Sequence, residues 1–275
     1  MPADRRTPSS QALARGLDWA VWEVNCNLGP RDRPYEERHA FTSIAAVLRG
    51  TFHYRSSHGS DLLYPGSFLL GNAGACFECG HEHGTGDHCI AFGFEPALFE
   101  EIAASCGGTS KYRFKAARLP SSPSMTAALA AAAALRAGAQ AAEELAIGLA
   151  ERVIRATSAF IPGAASPSAR DLRRISDALR FVDEHYDEPL DLERLAAIAH
   201  MSRYHFLRTF RKVVASTPHR YLLNVRLRRA AERLRGSDES VASIASQAGF
   251  GDLSTFYQHF RRAFGHPPHE HRARR

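Results

Sequence analysis

The most informative segment of this 275-residue chain is Ala245-Ser-Gln-Ala-Gly-Phe-Gly-Asp-Leu-Ser-Thr-Phe-Tyr-Gln-His-Phe-Arg-Arg-Ala-Phe-Gly-His-Pro-Pro268. Gly249 favours a tight turn, because glycine adopts a left-handed backbone without steric cost. Asp252 occupies the position of a helix cap, where its carboxylate can accept hydrogen bonds from the first turn. Phe256 and Phe260 are four residues apart, so they share the buried face of the following helix. The segment therefore predicts a helix, a turn and a second helix.

The same arrangement occurs fifty residues earlier. In this first copy Asp191 caps a helix, the chain turns at residues 199–201, and Ser202 caps the next helix. In the second copy Ser240 caps the first helix, and the copies slip by one residue before the turn. The residues that match at this offset are Phe206 and Phe256, Phe210 and Phe260, Arg211 and Arg261, Lys212 and Arg262, Pro218 and Pro268, and His219 and His269. The repeat predicts an all-α region with two helix-turn-helix units.

The helix faces opposite the phenylalanines carry side chains that can recognise bases. Arginine pairs with guanine, glutamine pairs with adenine, and aliphatic groups contact the thymine methyl. The predicted base-contacting residues are Arg203, Tyr204, Leu207, Arg208, Leu253, Ser254, Tyr257 and Gln258. Near the helix ends lie Arg211, Lys212, Arg261 and Arg262, which could complement the helix dipole or contact phosphates. We favour phosphate contact, because the basic pair repeats in both copies.

A long helix over residues 219–235 is predicted to separate the two copies. Such a spacer would hold the recognition helices at a fixed separation, and about 34 Å would place them in successive turns of the major groove. Its arginines are expected on the outside; they are Arg226, Arg228, Arg229, Arg233 and Arg235. From Arg170 onward the chain has 20 basic and 13 acidic residues, a net +7, against −1 for the remainder. This asymmetry fits a phosphate-binding surface, and also a salt-bridged helical domain.

Residues 171–275 resemble the DNA-binding domain of the AraC/XylS family of transcription regulators, most specifically through the segment that ends at Pro268. The resemblance implies double-stranded DNA as partner, with base contacts near the starts of both recognition helices. Leu207 departs from the polar residue often found there, so the first copy would depend more on Arg203 and Arg208. The resemblance also implies a cupin-like N-terminal barrel. No His-x-His with a trailing Glu precedes the turn at residues 65–66, so the metal site of enzymatic cupins is not implied.

The chain is predicted to be α+β. Short apolar runs between Trp19 and Phe94, broken by turn residues, indicate an antiparallel β-sandwich or barrel. We assign residues 12–120 to a cupin-like sensor domain, 121–161 to a helical dimerisation or packing segment, 162–169 to a linker, and 170–275 to the DNA-binding domain. Leu145, Leu149 and Val153 form a stripe at helical spacing. That stripe fits either packing on the sensor domain or the seam of a homodimer.

The sensor domain contains a dense set of metal-ligating residue types, Cys76-Phe-Glu-Cys79-Gly-His81-Glu-His83-Gly-Thr-Gly-Asp-His88-Cys89. Two cysteines at Cys-x-x-Cys spacing can bind one tetrahedral ion, and a histidine or third cysteine can complete a zinc or copper site. The predicted ligands are Cys76, Cys79, His81, His83 and Cys89. The alternatives are a thiol redox switch and ordinary buried side chains. On a strand, Cys76 would lie on the opposite face from the other ligands in this run up to His83.

Composition narrows the functional class. The chain has no apolar run of about eighteen residues and no apolar core at its N-terminus, so we expect a cytoplasmic protein without a membrane partner. In a reducing compartment its five cysteines do not predict a disulfide framework, and Cys26 and Cys106 are expected to be ordinary buried residues.

The predicted function is a sequence-specific DNA-binding regulator, without enzymatic activity, that senses a small ligand, metal or redox state. The alternative is a cupin-type enzyme or a DNA-alkylation repair protein with an appended DNA-binding domain. A repair protein would need a cysteine thiolate activated near a metal, and the sequence shows no second segment that clearly supplies one. Promoter binding without turnover distinguishes the two classes.

Overall fold

A computed structural model describes residues 8–81, 86–106, 111–135, 142–158 and 167–273. The chain divides into two compact units. Unit 1 comprises Met1–Pro120 and Leu135–Ala165, and unit 2 comprises Ser121–Ala134 and Ser166–Arg275. The predicted linker at 162–169 lies outside the described residues as far as residue 166.

Unit 1 is built on antiparallel strands in two sheets. The strands are β1 (Ser9–Arg15), β2 (Trp19–Cys26), β3 (Glu36–Arg38), β4 (Thr42–Arg49), β5 (Phe52–Ser56), β6 (Gly59–Leu63), β7 (Phe68–Gly71), β8 (Cys76–Gly80), β9 (Asp87–Phe94) and β10 (Arg118–Leu119). One sheet has the order β1-β2-β9-β4-β7-β10 and the other β3-β8-β5-β6. The α+β class is confirmed. The described strands form two open sheets without closing a barrel, and the cupin-like detail stays a prediction.

Apolar side chains from both sheets meet in the core of unit 1. Val47, Phe52, Leu63 and Cys89 belong to one buried cluster although they come from different strands of the two sheets. This arrangement follows from the alternation of inward and outward side chains along each strand. The interior between the sheets is therefore the place where buried polar groups of β8 and β9 must find their partners.

Two helices complete unit 1, α1 (Pro96–Ser105) and α3 (Ala142–Ser158). Helix α3 contacts β2, β10 and α1. Leu149 and Val153 of its apolar stripe are buried within this chain. That burial supports the packing alternative for the stripe.

Unit 2 is helical throughout its described residues. Its helices are α2 (Thr126–Ala134), α4 (Ala169–Glu184), α5 (Leu192–Ile198), α6 (Arg203–Val214), α7 (Pro218–Gly236), α8 (Val241–Gln247), α9 (Leu253–Phe264) and α10 (Pro268–Ala273). Helices α5 and α6 form the first helix-turn-helix unit, and α8 and α9 form the second. Helix α2 contacts α7 and α9. Part of the segment predicted as one helical packing element thus belongs to unit 2, while α3 belongs to unit 1.

Helix α7 is the predicted spacer, but its arginines do not form an outer face. Arg228 is only 2% exposed, with its Nη2 atom 3.7 Å from Oδ1 of Asp183. Arg229 approaches the same oxygen at 2.9 Å, and Arg226 donates hydrogen bonds to the carbonyls of Tyr186 and Glu188. The prediction that these arginines lie outside is therefore wrong for Arg228. The physical reason is that α2, α6, α8, α9 and α10 all pack on α7.

Candidate nucleic-acid interface and cysteine cluster

The caps and turn of the first copy agree with the sequence. Oδ1 of Asp191 accepts a hydrogen bond from the amide of Arg194 at 2.7 Å. Ser202 caps α6 through a hydrogen bond from the amide of His205. The turn between the helices contains His200, whose φ of 50° is left-handed. These contacts start α6 at the point where its side chains must reach a partner.

The second copy repeats this plan with a glycine in the turn. Ser240 accepts from the amide of Ser243 at 3.1 Å, and Asp252 accepts from the amide of Thr255 at 2.6 Å. Gly249 has a φ of 82°. The left-handed residue lies three positions before the cap here and two positions before it in the first copy. The predicted slip of one residue is thus visible in the backbone.

The two recognition helices bury the same face. Phe206 and Phe210 of α6, like Phe256 and Phe260 of α9, are completely buried. Exposed side chains of the predicted interface are Arg203, Tyr204, Arg208, Arg211, Lys212, Leu253, Ser254, Gln258, Arg261 and Arg262, while Leu207 and Tyr257 are half-buried. The predicted contact residues of each copy therefore lie together on one solvent-facing surface.

Apolar exposure is concentrated at this surface. Only three large hydrophobic side chains of the described residues are exposed, and they include Tyr204 at 76% and Leu253 at 43%. Both lie in the first turn of a recognition helix. Such positions fit contact with the thymine methyl or the sugar edge in a groove.

Cations at the ends of the recognition helices differ from those of α7. Arg211, Lys212, Arg261 and Arg262 are exposed and make no ion pair with any described residue. By contrast, Arg229 pairs with Asp183 and Arg233 pairs with Glu239 at 2.6 Å. The basic charge that remains free for phosphate is thus on α6 and α9.

Unit 1 brings together three of the predicted metal ligands, Cys79, His81 and Cys89. Their neighbours include Cys26, which was expected to be an ordinary buried residue, and Asp87, which sequence reasoning missed. Alternation along β9 could have suggested Asp87, since it lies two residues before Cys89. Cys26 gave no such signal, because its position depends on the pairing of β2 with β9.

The other two predicted ligands do not join this group in the described residues. Cys76 begins β8 on the face opposite to Cys79, and it lines a surface groove with Arg55 and Glu78. His83 lies outside the described residues. Cys106, the remaining cysteine, caps the end of α1.

The environment of the cluster shifts its pKa values. Burial raises the pKa of the Cys79 and Cys89 thiols, and the negative charge of Asp87 raises both further. Burial alone would lower the pKa of His81, but hydrogen bonds to Asp87 and Cys26 outweigh it and raise that pKa to about 9. The His81 imidazole is therefore held in place by two side chains of the opposing sheet.

Comparison with known proteins places unit 2. The helix-turn-helix domain family model matches residues 195–274. The regulatory protein SoxS of Escherichia coli (strain K12) is 34% identical over 100 residues, which cover 36% of this chain and 94% of SoxS. The transcriptional activator RhaS of Klebsiella pneumoniae (strain 342) is 37% identical over 97 residues, which cover 35% of each chain. Against the first Pseudomonas aeruginosa relatives, the chain spans only 27% to 36% of their length.

A solved structure with a similar domain is the DNA-binding domain of AdpA in complex with a target DNA. It is 37% identical, covers 37% of this chain and 91% of that chain, and has a TM-score of 0.36. Within the described part of this protein, no helix has the length and apolar character needed to cross a bilayer. Since SoxS is matched over nearly its whole length, this chain belongs to the AraC/XylS family of DNA-binding transcription regulators.

Proposed function

We propose that this regulator recognises a specific double-stranded DNA site by placing α6 and α9 in the major groove, and that unit 1 senses a small ligand, metal or redox state. The observation that carries the DNA part is the repeated surface. Both recognition helices expose polar and apolar side chains at matching positions, with unpaired cations at their ends. A surface used for anything other than two repeated half-contacts would not need this correspondence.

Arg203 and Arg208 are the strongest candidates for base contacts in the first copy. The Arg203 guanidinium is 69% exposed, and its 3.9 Å approach to Glu193 is a solvent-exposed pair that contributes little. Both side chains are thus free to turn toward a guanine. In the second copy Gln258 occupies the same helical position as Arg208 and suits an adenine.

Helix α7 supports this function by fixing the distance between the copies. It contacts α6 of the first copy and both α8 and α9 of the second. Its apolar residues Tyr221, Val225 and Leu234 are buried. A helix packed into both copies transmits little bending, so the spacing of the two half-contacts becomes part of the recognition.

We assign effector sensing to unit 1, with a cupin-like ancestry and a homodimer as further parts of the proposal. The enzymatic alternative gains no support from the geometry. Cys26 and Cys89 are each 5% exposed and lie in the interior between the sheets. A cysteine that accepts an alkyl group from DNA must be reached from the surface. The related chains are transcription regulators, which favours a protein without turnover.

The DNA assignment is tested by selecting a binding site from random duplexes with the full chain and then comparing variants. Arg208→Ala and Gln258→Ala should each relax preference at one base position, at a cost of about 1 to 3 kcal/mol on the preferred site. Arg262→Ala should weaken binding to all sequences alike and reduce the salt slope by about one.

The matched control is Lys115→Ala, which removes an exposed cation from unit 1 and should leave the affinity for the selected site unchanged. Equal losses on every sequence for Arg208→Ala, Gln258→Ala and Arg262→Ala would overturn the assignment of base contacts.

A further inference from the structure

Strands β2 and β9 place three metal-ligating side chains on one face. Cys26, the last residue of β2, pairs directly with Asp87, the first residue of β9. Directly opposed residues project from the same face of a sheet, and Cys89 follows Asp87 by two residues and shares that face. Gly86 makes this start of β9 feasible, because a Cβ atom there would collide with the backbone oxygen of Cys26.

The opposing sheet supplies two further ligands. Cys79 lies near the end of β8 and His81 directly follows that strand, so the alternation of side chains favours one face for both. Nε2 of His81 lies 2.7 Å from Oδ2 of Asp87. The ligand atoms of Cys26, His81 and Asp87 all lie within 4.8 Å of one another. Two sheets therefore contribute to a single group of donor atoms.

The remaining thiols border this group. The Sγ atom of Cys89 lies 3.8 Å from Oδ1 of Asp87. Cys79 is close enough to Asp87 and Cys26 for their negative charges to raise its pKa. Five side chains of ligand type thus surround one point between the sheets.

The burial of this cluster calls for a compensating charge. The side chains of His81 and Asp87 are only 3% and 6% exposed. An ion pair taken out of water loses hydration that a single hydrogen bond does not replace, and neighbouring thiols are weak hydrogen-bond partners. A divalent cation would interact favourably with the carboxylate and with thiolates at the same point.

The donor set also selects the ion. Zinc binds thiolate, imidazole and carboxylate at about 2.0 to 2.3 Å, so its ligand atoms lie about 3 to 4 Å apart. Donors within 4.8 Å of one another reach that geometry with small side-chain shifts. Thiolates together with imidazole favour zinc or copper(I) over magnesium or calcium.

We propose that Cys26, His81 and Asp87, completed by one of the adjacent thiols of Cys79 and Cys89, form a zinc site that joins the two sheets of unit 1. The site differs from the one that the Cys-x-x-Cys spacing predicts, because it uses Cys26 in place of Cys76. Its regulatory consequence rests on the function proposed above: binding of zinc would set the stability of the sensing unit.

The experiment uses the full chain, purified without chelator, supplied with zinc and freed of excess. Elemental analysis should find about one zinc per chain in the unsubstituted protein and in Cys76→Ser. Cys26→Ser and Asp87→Asn should lose the metal or bind it about tenfold or more weakly. Cys76→Ser is the matched control, because it removes a cysteine of the same segment that faces away from the site.

Three results would overturn the proposal. One is retention of zinc by Cys26→Ser together with its loss from Cys76→Ser, which would favour the Cys-x-x-Cys site. Another is absence of bound zinc from the unsubstituted protein. The third is a disulfide among Cys26, Cys79 and Cys89, seen by mass spectrometry of alkylated protein, in place of metal.

A second measurement keeps the proposal testable where Cys26→Ser does not fold. Cobalt replaces zinc in the unsubstituted chain, and its spectrum reports thiolate ligands through a charge-transfer band and tetrahedral geometry through intense visible bands. A spectrum without a thiolate band contradicts the site. Affinity for the selected DNA, measured with and without zinc, tests the sensor role separately, so either part can fail alone.

Discussion

The two helix-turn-helix copies share one plan but are stabilised by different means. The non-glycine residues with positive φ in the described chain are His200 and Ala215, and both lie in the first copy. The second copy has Gly249 and Gly265 at the corresponding places, with φ of 82° and 81°. A left-handed conformation costs an L-residue about 1 to 2 kcal/mol. The first copy thus contains backbone strain that the second avoids.

The side chains that hold the copies together differ as well. The first copy is joined to α7 by α6 and by α4, whose Asp183 faces Arg228 and Arg229. In the second copy, Phe260 stacks on Phe264 at a centroid distance of 4.3 Å, in a core of aromatic and aliphatic groups. Buried charges tolerate the loss of a partner poorly, whereas an apolar core has none to lose. We therefore infer that the first copy is the less stable of the two.

The largest effect is expected at Asp183. Asp183→Ala leaves the buried Arg228 guanidinium without its carboxylate, and this should lower the free energy of unfolding of unit 2 by about 3 to 5 kcal/mol. The change is measured by urea denaturation of the full chain, followed by circular dichroism of its helices. Glu239→Ala is the control, because its pair with Arg233 is exposed to solvent and should matter little. Equal losses in both variants would remove the distinction between the copies.

The next effect separates the two turns. A Cβ atom on Gly249 would lie 2.8 Å from Nε of Arg226, whose guanidinium is bonded to the carbonyls of Tyr186 and Glu188. Gly249→Ala adds backbone strain to this collision and should cost about 2 to 3 kcal/mol. At the equivalent turn, His200→Gly should stabilise the chain by about 1 kcal/mol or less, because glycine relieves the strain. The urea midpoint checks both signs. A neutral Gly249→Ala would show that Arg226 shifts without losing its bonds.

Local patterns made much of unit 2 predictable. The caps at Ser202 and Asp252, the turn at Gly249 and the paired phenylalanines all depend on residues within a few positions of one another. The burial of Arg228 depends instead on which helices surround α7, and its partner Asp183 lies on α4. Sequence spacing carries no record of that packing.

The cysteine cluster shows the same limit. Alternation along β8 indicated that Cys76 would not share a face with Cys79. The approach of Cys26 to His81 could not be predicted, because it requires the pairing of β2 with β9 and the stacking of two sheets. Residues distant in sequence met there through topology, and a motif search confined to one segment finds only half of such a site.

The smallest effect isolates the backbone from all packing. No atom outside the immediate chain neighbours lies within 4 Å of the Cβ position at Gly265, so Gly265→Ala changes only the cost of its left-handed φ. It should destabilise the chain by about 1 kcal/mol. Ala215→Gly, at the same place after α6, should stabilise it by a similar or smaller amount, since glycine also gains freedom in the unfolded chain. Opposite signs in urea denaturation would confirm that the first copy carries strain absent from the second. If Ala215→Gly also destabilised the chain, its methyl group must contribute more packing than the strain costs, and the inferred order of stability would reverse at this position.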